Sequence, residues 1–191
     1  MKLKEIAFWG IIWGIIYFST NNISIFQMHT LPLLPCEKEI VFSNWWMILY
    51  VSWVLYNILF CLSITKNAKR YTALLTGLII IHALIFMVYP TEYPRTYDYN
   101  SLCAINKLLL SLDNPQNCLP SLHVSFIFFS FLIAPSLGVN GIKRFIFVFW
   151  GALIMASVVF VKQHYVIDIV AGILLTTCYY YLTRKFLKSK N

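Results

Sequence analysis

Charged side chains are scarce in this chain. Asp, Glu, Lys and Arg make up 12% of its 191 residues, about half of the quarter that a soluble domain carries. With 60% of the residues hydrophobic, a water-soluble globular fold is excluded. Acid is scarcer still, 7 Asp and Glu against 15 Lys and Arg. A cleavage pattern is missing too. Lys2 and Lys4 precede the apolar run Ile6 to Phe18, but no small-x-small pattern follows and the polar stretch beyond is bulky, so the start reads as a first span rather than a cleaved signal peptide.

What the chain does contain is a series of apolar runs. A membrane span needs about 20 mostly apolar residues, with roughly 17 to 25 allowed by tilt and interfacial aromatics. Ile6 to Phe26, Trp45 to Ile64, Tyr71 to Val88, Ser121 to Leu137, Phe145 to Val161 and Tyr165 to Leu182 meet that requirement. The first is the weakest, because Ser19, Thr20, Asn21, Asn22 and Ser24 occupy its second half. The expectation is an all-α fold: an integral membrane six-helix bundle forming a single polytopic domain over 1–191, its motifs concentrated in 89–172.

The formal net charge of +8 would suggest nucleic acid on a soluble protein. Its distribution suggests topology instead. With a cytoplasmic N-terminus, one side collects Lys2, Lys4, Lys66, Lys69, Arg70, Lys143, Arg144, Arg184, Lys185, Lys188 and Lys190 against Glu5 alone. The other holds Lys38, Arg95, Lys107 and Lys162 against Glu37, Glu39, Glu92, Asp98, Asp113 and Asp168. The split is +10 inside and −2 outside, which predicts cytoplasmic termini and no nucleic-acid partner.

Between the spans, Gln27 to Asn44 is a weakly acidic outer loop, broken by Pro32 and Pro35, in which no chemistry is legible. The longest loop follows Tyr89. Within it, Leu102, Ile105, Leu108, Leu109 and Leu112 recur at a helical period, predicting a short helix over Ser101 to Leu112 that lies on the outer surface. Cys36, Cys103 and Cys118 fall outside and Cys61 and Cys178 in spans. In an oxidising compartment Cys103 and Cys118 are candidates to staple the long loop, leaving Cys36 unpaired.

The chemistry concentrates at one membrane face. An intramembrane Asp is costly and calls for a partner. On a helix, His164 lies one turn before Asp168, so the carboxylate reaches one imidazole nitrogen and leaves the other free as nucleophile or base. Pro120 permits a helix to start, which presents Ser121, the Leu122 amide and His123 at an anion-attracting N-terminus. Arg95 and Lys162 add cations at the same face. Together these residues describe phosphoryl transfer through a phosphohistidine, with Arg95, Ser121, Leu122 and Lys162 holding the phosphate. His82, mid-span, reads as a hydrogen-bonded packing residue and His29 as solvated.

Here the chain resembles the type 2 phosphatidic acid phosphatase superfamily, the lipid phosphate phosphatases related to vanadium haloperoxidases. That family carries three blocks, K-x6-R-P, P-S-G-H and S-R-x5-H-x3-D. This chain offers Arg95 for the first, Pro120-Ser121-Leu122-His123 for the second, and Ser157, His164 and Asp168 for the third. The resemblance implies that His164 attacks phosphorus, Asp168 orients it and His123 protonates the leaving alcohol, with no cofactor and no metal. Val88, Thr96, Leu122 and Val158 replace the family's Lys, Pro, Gly and Arg. Two phosphate-binding cations are therefore absent, and Lys162 is a candidate substitute for one. The Lys-Gln-His-Tyr-x-x-Asp string looks like a recurrent variant in this superfamily, and the His-Tyr-x-x-Asp pattern also resembles inositol phosphorylceramide and sphingomyelin synthases, which pass a phospho head group to a lipid alcohol.

The resemblance implies a phosphorylated lipid or isoprenyl substrate and an active site facing the periplasm, exterior or lumen. Three functions fit: a phosphatase of lipid phosphates or pyrophosphates, a lipid phosphotransferase, and a non-enzymatic lipid-binding or transport protein. A zinc site built from His123, His164 and Asp168 is a lesser alternative.

Overall fold

The computed structural model describes residues 1–23, 25–95, 102–112 and 114–186. Ser24, Thr96, Asp98, Asp113, Lys188 and Lys190, and the side chains of Ile105, Leu109 and Leu112, lie outside the described residues. The described residues are mostly helical, with one minimal strand pair among them. In order it forms α1 (Leu3–Asn22), β1 (His29–Thr30), α2 (Pro35–Glu39), α3 (Asn44–Ser63), α4 (Ala68–Val88), β2 (Thr91–Glu92), α5 (Ala104–Leu112), α6 (Leu122–Ile133), α7 (Gly141–Phe160) and α8 (Val166–Thr183). Helices α3, α4 and α7, and α8 with the 3₁₀ turn that follows it, are long and apolar enough to cross a membrane; α6, extended to Leu137 by a 3₁₀ turn, is a shorter apolar helix.

Two expectations shift. The helix in the first apolar run ends at Asn22 rather than near Phe26, where Thr20 and Asn22 turn their side chains back onto the carbonyls of Tyr17 and Phe18 and compete with the backbone ladder. The segment Gln27 to Asn44 carries real structure: β1 pairs in parallel with β2, and Pro35, preset at the first turn of α2, starts a short helix.

Helix α6 is the axis of the bundle. Leu122, Val124, Ser125, Phe126, Ile127, Phe129, Ser130 and Ile133 are all buried, so most of its circumference is enclosed, with Phe128, Phe131 and Leu132 left half-buried along one stripe. Helices α7 and α8 pack directly on it, α1 runs along α4, and α3 runs along α7. Between apolar helices the directional ties are polar. Tyr56 meets Ser130, Trp150 donates to Ser52 at 3.0 Å, Trp13 to Thr76 at 3.1 Å, and Tyr179 to the Leu74 carbonyl at 2.7 Å. His82 bridges α4 to α6: Nδ1 lies 2.8 Å from the Leu78 carbonyl and Nε2 2.9 Å from Ser125 Oγ. Because a carbonyl only accepts, the Nδ1 proton goes to Leu78. Phe8, Ile11, Val54, Leu55, Phe145, Phe149, Leu174 and Leu182 point outward, a surface suited to hydrocarbon.

The α6–α8 crossing sets the site, and Gly172 permits it. A Cβ there would lie 3.0 Å from the Ser121 carbonyl oxygen and 3.1 Å from Ser125 Oγ. Gly172→Val is expected to destabilise the protein by about 1–3 kcal/mol through overpacking. Gly14→Ala, whose Cβ meets nothing within 4 Å, is expected to gain up to about 1 kcal/mol from helix propensity. Thermal unfolding in detergent, followed by tryptophan fluorescence, distinguishes the two.

Candidate active site

At the end of the bundle where α6 and α8 begin, the turn between α7 and α8 carries Lys162, Gln163 and His164. Its shape comes from backbone pairing: the Gln163 and His164 amides both donate to the Val158 carbonyl, at 3.1 and 3.2 Å. Lys162 takes a left-handed conformation, φ 53, which costs a non-glycine residue on the order of 1–2 kcal/mol. His164 thus precedes α8 rather than riding on it. Tyr165 is the extended N-cap, and Asp168 sits in the first turn of the helix. The expected His–Asp contact is present, but it arises from capping geometry and not from a shared helical face. The Asp168 carboxylate accepts from the Tyr165 amide at 2.9 Å and from His164 Nδ1 at 3.2 Å through the same oxygen.

His164 Nδ1 has a second acceptor, the Cys118 carbonyl at 3.1 Å. Neither partner can donate, so the imidazole proton belongs on Nδ1 and the lone pair on Nε2. Asp168 is fully buried. Its backbone carbonyl accepts from the Ser121 amide at 3.1 Å, which ties the first turn of α8 to the N-cap of α6. Its Oδ1 has no hydrogen-bond partner among the described residues.

On α6, Ser121 caps the helix by accepting from the Val124 amide at 3.4 Å, leaving its own O–H to donate. The Leu122 and His123 amides are the first of the helix and need partners from outside it. The His123 ring lies 5.8 Å from that of His164, centroid to centroid, at 68°. Tyr50 and Trp53 of α3 flank it at 4.8 and 4.9 Å, so one side of the two-histidine cleft has an aromatic wall.

The cations are placed differently from each other. Arg95 donates through Nη1 to the Leu110 carbonyl at 2.8 Å and through Nη2 to Gln163 Oε1 at 3.2 Å, joining α5 to the residue before His164. Lys162 is 3% exposed and donates to the Glu37 carbonyl at 2.9 Å. Burial pulls its ammonium below the ordinary lysine range, opposed by the Glu37 charge. Burial also pushes the Tyr93 phenol up to about 12, with the Glu37 and Asp168 charges adding to it.

Glu37, Gln163, Tyr165 and the Cys118 carbonyl were not among the sequence candidates. The signal for Glu37 was Pro35-x-Glu37, a helix start with its acid in the first turn. Cys118 is buried, its thiol directed at the Pro115 and Gln163 carbonyls at 3.5 and 3.7 Å. Cys103 is exposed and both cysteines are free thiols, so no disulfide staples the long loop here. The donor atoms of Cys118, His164 and Asp168 lie within 4.8 Å of one another. Hydrogen bonds account for that cluster, and His123 is not part of it.

A family model described as the PAP2 superfamily matches residues 29–182. No curated protein and no solved structure matches the chain. The matched stretch begins at β1, takes in every residue of the site and runs nearly to the end of α8. An all-helical membrane protein, the chain belongs to the PAP2 superfamily.

Proposed function

We propose that this protein hydrolyses lipid phosphate or pyrophosphate monoesters through a phosphohistidine, at the extracytoplasmic face of a six-span bundle. Superfamily membership supports a phosphatase-type action on lipid phosphates. The observation that carries the finer reading is His164 Nδ1 between two obligate acceptors, which leaves Nε2 as the nucleophile, with a second imidazole 5.8 Å away. An attack distance of about 3–3.5 Å and a proton-transfer bond of about 2.6–3.2 Å fit a phosphoryl group bent between the two rings.

In the first step, Nε2 forms a bond to phosphorus, the ester P–O bond breaks, and His123 gives its proton to the departing alkoxide. Asp168 stabilises the positive charge that develops on His164. In the second, His123 takes a proton from water as its oxygen bonds to phosphorus and the N–P bond breaks. Ser121, the Leu122 amide and Arg95 are assigned to the non-bridging oxygens, and Lys162 contributes its positive charge from behind the turn. The aromatic side of the cleft, Tyr50 and Trp53, faces the leaving alcohol and suits a lipid.

An alcohol in place of water would make the same site a phosphotransferase, and the His-Tyr-x-x-Asp string favours keeping that reading. Purified protein incubated with phosphatidic acid or an isoprenyl pyrophosphate, with and without acceptor alcohols, is expected to release free phosphate without an acceptor. Appearance of the phosphorylated acceptor, with no free phosphate released in either arm, selects the phosphotransferase. His164→Ala is expected to abolish turnover, and Asp168→Asn to lower kcat by on the order of 10²–10⁴-fold, because it mis-sets the tautomer. Wild-type rates in either variant overturn the mechanism. His123→Ala is expected to lose about 10²–10⁴-fold on alkyl esters and far less on p-nitrophenyl phosphate, whose leaving group needs no proton. Equal losses on both rule out the acid role.

A further inference from the structure

We propose that Glu37 is a positioning residue for the nucleophile, clasping the His164 turn from the first outer segment. The inference rests on reading His164 as the attacking group. Glu37 is 2% exposed. Its Oε1 accepts from the Val166 amide at 2.6 Å and its Oε2 from the Leu34 amide at 2.6 Å. Its backbone carbonyl takes the Lys162 ammonium. Both carboxylate oxygens are thus committed to backbone, and the side chain acts through the amide two residues beyond His164 rather than on substrate.

The clasp has a second strand. Tyr165 Oη accepts from the Leu31 amide at 3.1 Å and donates to the Glu92 carbonyl at 2.9 Å, so residues 162, 165 and 166, on both sides of His164, are held by 31–37. Cys118 and Asp168 hold the imidazole; the segment before α3 holds the backbone that carries it. The carboxylate also sits at the N-terminus of α8, where negative charge is favoured. Without Glu37 the turn keeps the Val158 carbonyl contact, the Arg95 bond to Gln163 and the Tyr165 ties, but loses its anchor at the Val166 amide. A displacement of about 1 Å at a reacting group is enough to cost on the order of 10²-fold.

The test compares Glu37→Ala, Glu37→Gln and Val166→Pro in the full chain in detergent, with p-nitrophenyl phosphate and a short-chain phosphatidic acid as substrates. Val166→Pro deletes the amide that Glu37 clasps, and Val166→Ala, which keeps that amide, controls for the loss of side-chain packing against Val124, Val158 and Val159. Position 166 is the first of α8, where proline is tolerated, and Tyr165 at φ −74, ψ 155 already has the conformation a following proline requires. Glu37→Ala and Val166→Pro are expected to lower kcat by about 10²-fold with KM within about three-fold. Glu37→Gln keeps one accepting oxygen and is expected to recover to within about ten-fold of wild type. If Glu37→Ala does not fold, Val166→Pro decides.

An active wild type with unchanged kcat in Glu37→Ala and Val166→Pro, or a loss confined to KM, overturns the clasp and leaves the phosphatase reading standing. A wild type inert on every substrate sinks the phosphatase reading instead. The clasp is then decided by the rate at which diethyl pyrocarbonate modifies His164, measured by peptide mapping. A rate several-fold different in Glu37→Ala supports it, and equal rates overturn it.

Discussion

The end of the bundle where α6 and α8 begin converges on one proton, the one on His164 Nδ1. Its two acceptors come from different places in the chain, the Cys118 carbonyl just before α6 and the Asp168 carboxylate in the first turn of α8. The hydrogen bond that sets the tautomer therefore also reports whether α6 and α8 are in register. The Ser121 amide on the Asp168 carbonyl fixes the same register through backbone alone, and Gly172 lets the helices come close enough for both. Chemical state and helix packing are a single constraint here. Without that proton the buried carboxylate would keep only the Tyr165 amide as a donor among the described residues.

The helices were legible because apolar run length is a local property and the turns between runs are marked by Lys, Arg, Pro and Gly. α3, α4, α7 and α8 each begin within a few residues of the expected position. The His164–Asp168 pair was legible as a spacing, but the reason for the contact was misread: i to i+4 on one helix became a residue before the N-cap meeting the third position of the helix. Both geometries put the groups one turn apart, so the sequence could not separate them. Glu37 was missed because its role depends on a docking more than a hundred residues away, at the Val166 amide. No local pattern encodes that. The direction of the Lys162 side chain was hidden for a similar reason, since a left-handed residue reverses where its side chain points.

The rest of the bundle supports the site by surrounding α6. Small polar groups, Ser125, Ser130, Ser52 and Thr76, tie the helices where hydrocarbon supplies no hydrophobic driving force. They are concentrated at crossings, and the outward faces are left to Leu, Ile, Val and Phe. His82 belongs to this set: its ring is spent on Leu78 and Ser125, and Ser125 in turn reaches the Gly172 carbonyl at 3.3 Å. One histidine of the chain thus serves the scaffold at the same crossing that two others use for the cleft.

The left-handed Lys162 has an implication for the turn it occupies. Glycine would adopt φ 53 with no steric penalty and is what a short reversal between two helices would otherwise favour. A long cationic side chain held there against its own backbone preference means that the ammonium's seat on the α2 carbonyl outweighs the ease of the bend. The identity of this residue is tied to where its tip lands, and the contour of the chain around His164 follows from that.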